Sequence, residues 1–123
     1  IELVGENTNQ AAEILAKAGI SDAWIYIRKP SELSDGQRYR LKLALIMNTD
    51  ADVWMADEFG AVLDRVTARV VAFNMQKVSR RLNKTFMVAT THFDMQEELA
   101  PDLTVLKRFR EKVDLITPET EGA

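Results

Sequence analysis

The sequence predicts an α/β fold with a parallel sheet at its core. Two apolar runs carry this expectation. Val53–Ala56 ends abruptly in Asp57-Glu58, with the turn-former Gly60 close behind, and Thr85–Thr90 leads straight into Thr91-His92. Between them Val71, Met75, Val78 and Leu82 recur at helical spacing, which predicts a helix over 67–82. Strand, helix and strand of these lengths make a βαβ unit, a connection that is right-handed and joins parallel strands. The uniformly apolar 53–56 run reads as a buried strand.

The other elements follow from local signals. Asn7 or Thr8 caps a helix over 7–18, in which Ala11, Ile14, Leu15 and Ala18 share a face and Gly19 supplies the stop. The stretch from Ile20 to Pro30 is mixed, and Pro30 argues against helix at Lys29. Ser34-Asp35-Gly36-Gln37 has the form of a capping box and opens a helix that runs to about Asn48. Beyond the βαβ unit, a short helix over 94–99 stops before Pro101, strands are expected over 103–106 and 113–116, and 117–123 reads as a loose polar tail. No repeat, low-complexity tract or linker divides the chain, so one domain is expected, with a helical part over 1–48 and an α/β part over 49–123.

Composition removes several classes of function. Cysteine is absent, which excludes disulfide frameworks, zinc-thiolate sites and cysteine nucleophiles, and a single histidine excludes a His-rich metal site. The 123 residues can bury a core without such staples. Apolar runs such as Leu43–Met47 are far too short to span a bilayer. A net charge of −3 gives no electrostatic reason to expect nucleic acid as a partner. With no signal segment visible, a cytoplasmic location is expected. The chain opens on Ile1 rather than Met and is expected to be a piece of something longer.

Parallel strands deliver their carboxyl ends to one edge of a sheet, where open α/β sheets bind ligands. Topology alone therefore brings Asp57, Glu58 and His92 to a common edge. Adjacent carboxylates there suit a hard cation such as Mg²⁺ and a polarised water. Taken singly, an Asp-Glu pair reads as a solvated loop and a lone His as a structural residue; their coincidence singles them out. The second candidate is the start of the Ser34 helix. Its unpaired N–H groups and dipole favour anions, and Gly36 allows close approach, although a plain capping box accounts for the same residues. Arg80, Arg81 and Lys84 read as a solvated helix end, Lys107 to Lys112 as a charged strand edge, and Trp24 and Trp54 as core.

These residues carry a family resemblance. Leu33-Ser34-Asp35-Gly36-Gln37 resembles the LSGGQ signature of ABC-type ATPases, and Val53–Glu58 resembles their Walker B strand with its glutamate. Ala61-Val62-Leu63-Asp64 is similar to the D-loop, and His92 falls where the switch histidine belongs. More narrowly, SDGQRYR, ADEFGAVLDRVTA and ATTHFD resemble the group of these ATPases fused to an acetyltransferase domain. The resemblance implies an incomplete P-loop NTPase-type three-layer fold with a partial helical subdomain. It implies ATP and Mg²⁺ as cofactors in a full-length parent, with Asp57 holding Mg²⁺ mostly through its water shell. Glu58 would activate the attacking water and His92 would contact the γ-phosphate. Ser34, Asp35, Gly36 and Gln37 would lie over ATP held by a second subunit in a head-to-tail dimer, with Asp64 beside that interface.

The sequence departs from this pattern in places. Asp35 stands where the family usually has Gly; either its side chain turns away or Arg38 and Arg40 offset its charge. Phe59 replaces the Pro that often follows the glutamate. No GxxxxGK[ST] occurs in the 123 residues, so the expected partner is the missing P-loop half of the same polypeptide, and the isolated chain is expected to be inactive. Thr85–Thr90 would then lack a neighbour on one edge. A non-enzymatic module that completes a P-loop partner's site in trans is the alternative, and a stand-alone Mg²⁺ phosphohydrolase a third.

Overall fold

A computed structural model describes residues 33–110 and 112–121, together with Glu13 and Ser31. Of the helix expected over 7–18 only Glu13 is described, and the segment from Ile20 to Pro30, with Trp24, lies outside the described residues.

Helix α1, Asp35–Met47, begins at the capping box the sequence announces. The Ser34 hydroxyl accepts from the Gln37 backbone N–H at 3.2 Å, and the Gln37 side-chain oxygen accepts from the Ser34 N–H at 3.0 Å. Two of the donors that a helix start leaves unpaired are thereby satisfied. Leu43, Ala44 and Met47 face the core.

Strand β1, Val53–Ala56, pairs in parallel with β2, Thr85–Val88, in the register Val53↔Thr85 to Ala56↔Val88. Helix α2, Arg65–Arg81, connects them. It starts two residues before the expected Thr67 because the Asp64 carboxylate caps it, accepting from the Thr67 N–H at 3.0 Å and the Thr67 hydroxyl at 2.6 Å. It ends in a left-handed Asn83 (φ 54°), with Lys84 N–H bonded to the Ser79 carbonyl and Asn83 N–H to that of Arg80. That pairing satisfies two carbonyls the helix end leaves free. The α2 face made of Ala68, Val71, Ala72, Met75 and Val78 is buried with Trp54, and Ala56, Phe86 and Val88 pack against this cluster.

The parallel sheet differs from expectation in two respects. β1 is not buried on both faces: Trp54 is 2% exposed, but Met55 is 70% and its register partner Met87 51% exposed. Among the described residues helices cover one face only, so the apolar run alternates in and out. β2 ends at Val88, not Thr90, because its partner strand ends at Ala56. Among the described residues β2 pairs with no strand but β1.

Beyond β2, Met95 is fully buried, followed by the single-turn helix α3, Gln96–Leu99. Strands β3, Thr104–Lys107, and β4, Val113–Ile116, form a separate antiparallel hairpin. The tail is not loose up to Glu121. Pro118–Glu121 forms a helical turn, α4, locked by the Thr117 N–H donating to the Thr120 hydroxyl at 2.8 Å and the Thr120 N–H donating to the Thr117 carbonyl at 2.9 Å.

Candidate functional site

The Ala56↔Val88 register brings both strand exits to the same edge. Two further backbone bonds continue the pairing past the strands: Ala89 N–H to the Ala56 carbonyl at 2.9 Å, and Phe59 N–H to the Ala89 carbonyl at 3.0 Å. The turn carrying Asp57 and Glu58 is therefore clipped to the segment that leads to His92. The Asp57 carboxylate accepts from the Glu58 backbone N–H at 2.9 Å. Glu58 takes a left-handed conformation (φ 50°), which costs a non-glycine residue about 1 kcal/mol or more. Both carboxylates are exposed, and His92 is half-buried, its backbone N–H donating to the Thr90 hydroxyl at 3.0 Å. Among the described residues no three His, Asp or Glu side chains group as a metal cage.

The start of α1 lies against the same turn region. A methyl group added at Gly36 would stand 3.4 Å from Leu63 Cδ2 and 3.8 Å from the Val62 carbonyl oxygen. Ser34 and Gln37 act as acceptors in the capping box, which leaves their own O–H and N–H donors unused by it. Asp35 both turns away and is offset: its side chain is 86% exposed and lies 3.7 Å from Arg38. Arg40 instead donates to the Gly36 carbonyl at 3.4 Å. Asp64 serves as the α2 cap. Hydrogen bonds from the Thr67 hydroxyl and backbone hold its carboxyl below the usual range, with a smaller contribution from Arg40.

Several residues that build this region carry no local signal in the sequence. Tyr39 accepts from the Gly60 N–H at 3.1 Å; burial pushes its phenol up, opposed by that bond. Its ring meets Phe59 edge-on at 6.2 Å, and Phe59 meets Phe86 at 5.6 Å. Arg65 forks onto Asp94 at 2.7 and 2.6 Å and donates to the Gly60 carbonyl at 3.1 Å. Arg69 holds Glu98 at 2.6 Å. Of the basic residues expected to be simply solvated, Arg80 and Lys84 are engaged, and the charged strand edge carries an ion pair of its own. Arg80 bonds the Ala100 carbonyl at 2.7 Å and faces Asp102, Lys84 reaches the Asp50 carbonyl, and Arg108 pairs across the hairpin with Asp114. Only spacing of 20 residues or more separates most of these partners, and no periodicity detects that.

A family model described as ABC transporter matches residues 2–61. The chain is 34% identical over 97 residues to the methionine import ATP-binding protein MetN of Bradyrhizobium diazoefficiens, covering 79% of this chain and 28% of that protein. It is 34% identical over 98 residues to the phosphonates import ATP-binding protein PhnC of Lactococcus lactis subsp. cremoris, covering 80% and 39% respectively. Similarity to the trimethylamine N-oxide transport system ATP-binding protein TmoW of Pelagibacter ubique is 28% over 102 residues. ABC ATP-binding proteins are thus homologues of this chain, which spans 28% of MetN and 39% of PhnC. No helix among the described residues is long and apolar enough to cross a membrane.

Proposed function

We propose that this chain is the signature-to-switch portion of an ABC-type ATPase, which in full-length form binds and hydrolyses ATP with Mg²⁺ as a head-to-tail dimer in the cytoplasm. The observation that carries this reading is the clip between the Glu58 turn and the segment leading to His92, with the capped start of α1 against the same turn region. Fold and surface support it. A parallel sheet is normally covered on both faces, so the exposed Val53, Met55 and Met87 are what a three-layer domain leaves bare when one layer belongs to the rest of a longer polypeptide.

The donor chemistry fits the cofactors. One exposed carboxylate, Asp57, with no protein cage around it, suits Mg²⁺, which keeps several waters and takes its other ligands from phosphate. When bound, the ion neutralises charge on the phosphates. Glu58 orients or deprotonates the attacking water, and His92 donates a hydrogen bond to the γ-phosphate. The free donors of Ser34 and Gln37, together with the Gly36 backbone at a helix start, cover the ATP held by the opposite subunit. Asp35 stays outside that contact, paired with Arg38, and the exposed Asp64 at the start of α2 lines the dimer interface. Catalysis of this kind rests on positioning and electrostatics and needs no covalent intermediate.

The test is Mg²⁺-dependent ATP turnover. In the full-length polypeptide Glu58→Gln should lower turnover by roughly a hundredfold or more while ATP binding persists. The 123-residue chain alone should not turn over, since its sequence contains no GxxxxGK[ST]. Turnover by the isolated chain that Glu58→Gln abolishes would sink the half-site reading. Turnover that appears only on adding a separate P-loop protein would favour a docking module instead.

A further inference from the structure

Gly60 sits two residues after Glu58, and Asp94 two residues after His92. Both faces of the Gly60 residue are engaged. Its N–H donates to the Tyr39 hydroxyl on α1 at 3.1 Å, and its carbonyl accepts from Arg65 at 3.1 Å. The same guanidinium forks onto both Asp94 oxygens at 2.7 and 2.6 Å. One polar chain, from Tyr39 through Gly60 and Arg65 to Asp94, therefore joins the three segments that carry Ser34, Glu58 and His92.

We propose that Arg65 is a positioning residue which, with Tyr39 and Asp94, couples α1 to the Glu58 turn and the His92 loop, so that a shift of α1 resets the hydrolytic groups. This rests on the ATPase reading above. The turn has little slack to absorb such a shift. Gly60 is buried in a left-handed conformation (φ 72°), and an added methyl would lie 3.3 Å from Ala68 Cβ and 3.4 Å from Met95 Sδ. Phe59 beside it is fully buried between Tyr39 and Phe86. The Arg65 and Asp94 side chains, by contrast, are 36% and 39% exposed, a setting in which an ion pair adds little to folding. Geometry rather than stability is what this fork supplies, and guanidinium is the group that holds a carboxylate and a carbonyl in fixed directions at once.

The experiment measures kcat, KM for ATP and urea unfolding in the full-length ATPase carrying Arg65→Ala, Arg65→Lys, Asp94→Ala, the Arg65→Ala/Asp94→Ala pair, Tyr39→Phe and, separately, Glu58→Gln. Arg65→Ala should lower kcat roughly tenfold to a hundredfold, the cost typical of a small misplacement of reacting groups. KM should stay within about twofold, as expected when ground-state binding is untouched. Arg65→Lys should recover only part of the loss because an ammonium cannot fork. The pair should be no worse than Arg65→Ala alone. Tyr39→Phe should lower kcat with the ring packing kept. If Arg65→Ala fails to fold, Arg65→Lys and Tyr39→Phe decide, since neither removes the packing. Unchanged kcat in these variants, or losses that multiply in the pair, overturns the coupling. In that case a parent still inactivated by Glu58→Gln leaves the ATPase reading standing. A parent whose turnover ignores Glu58→Gln defeats both.

Discussion

The backbone N–H of Phe59 donates to the carbonyl of Ala89 at 3.0 Å, so the residue directly after Glu58 is bonded to the exit of the neighbouring strand. The Phe59 ring is fully buried, edge-on to Tyr39 and Phe86. One residue thus fixes the acidic turn twice, by its backbone to β2 and by its side chain to α1.

Phe59→Ala should destabilise the chain by about 3–5 kcal/mol, the range for truncating a buried aromatic ring. Phe59→Pro, which restores the residue common in the resembling family, should also be costly here, because it removes the ring and the N–H donor together. Urea unfolding compares the two. A midpoint unchanged by either substitution contradicts this account.

Two glycines should respond in opposite ways. Gly60→Ala places a methyl in a left-handed turn tight against Ala68 and Met95, and should cost about 1–2 kcal/mol. At Gly36 the added methyl meets only ordinary contact, so Gly36→Ala should leave stability unchanged or raise it by about 0.5–1 kcal/mol through helix propensity. Equal losses of stability at both positions would refute the contrast.

Acid should destabilise the fold through two carboxylates. Asp64 is held low by Thr67 and Glu98 by Arg69. A group whose folded value lies below its unfolded one adds stability above the unfolded value. That contribution is lost as pH falls through the folded value. The unfolding midpoint should therefore hold steady above the ordinary carboxylate range of about 4 and decline below it. Asp64→Ala and Glu98→Ala should each flatten that decline when urea midpoints are compared between neutral and acid pH.

Ser34→Ala removes one half of the capping box and should cost about 1 kcal/mol. Ser34→Thr keeps the hydroxyl acceptor and should preserve most of the stability. The measurement is again the urea midpoint, and a neutral Ser34→Ala would show that the box contributes nothing.

The elements that could be read from the sequence are those whose signals are local. Ser34 and Gln37 lie three residues apart and announce α1, and β4 occupies the span 113–116 that its apolar run suggests. Helix α2 starts two residues before the apolar period indicates, because Asp64-x-x-Thr67 is itself a cap. An apolar run does not say how many faces of a strand are covered, so β1 is buried on one side only, and Thr117–Thr120 bonding turns part of the tail into a helix. At the site, the positions of Asp57, Glu58 and His92 at one edge follow from parallel topology. Tyr39 and Arg65 were invisible because their partners lie 21 and 29 residues away.

By itself the sequence determined the strands and helix of the βαβ unit, the cap of α1 and the order of the motifs, because these depend on bonds and periodicities spanning a few residues. Tertiary structure decided which of those motifs touch. Burial of Phe59, Met95 and the α2 face is non-directional, and only once those surfaces have packed do particular polar groups meet. The Gly60 residue, held by Tyr39 on one side and Arg65 on the other, is where that packing turns separate motifs into a connected site.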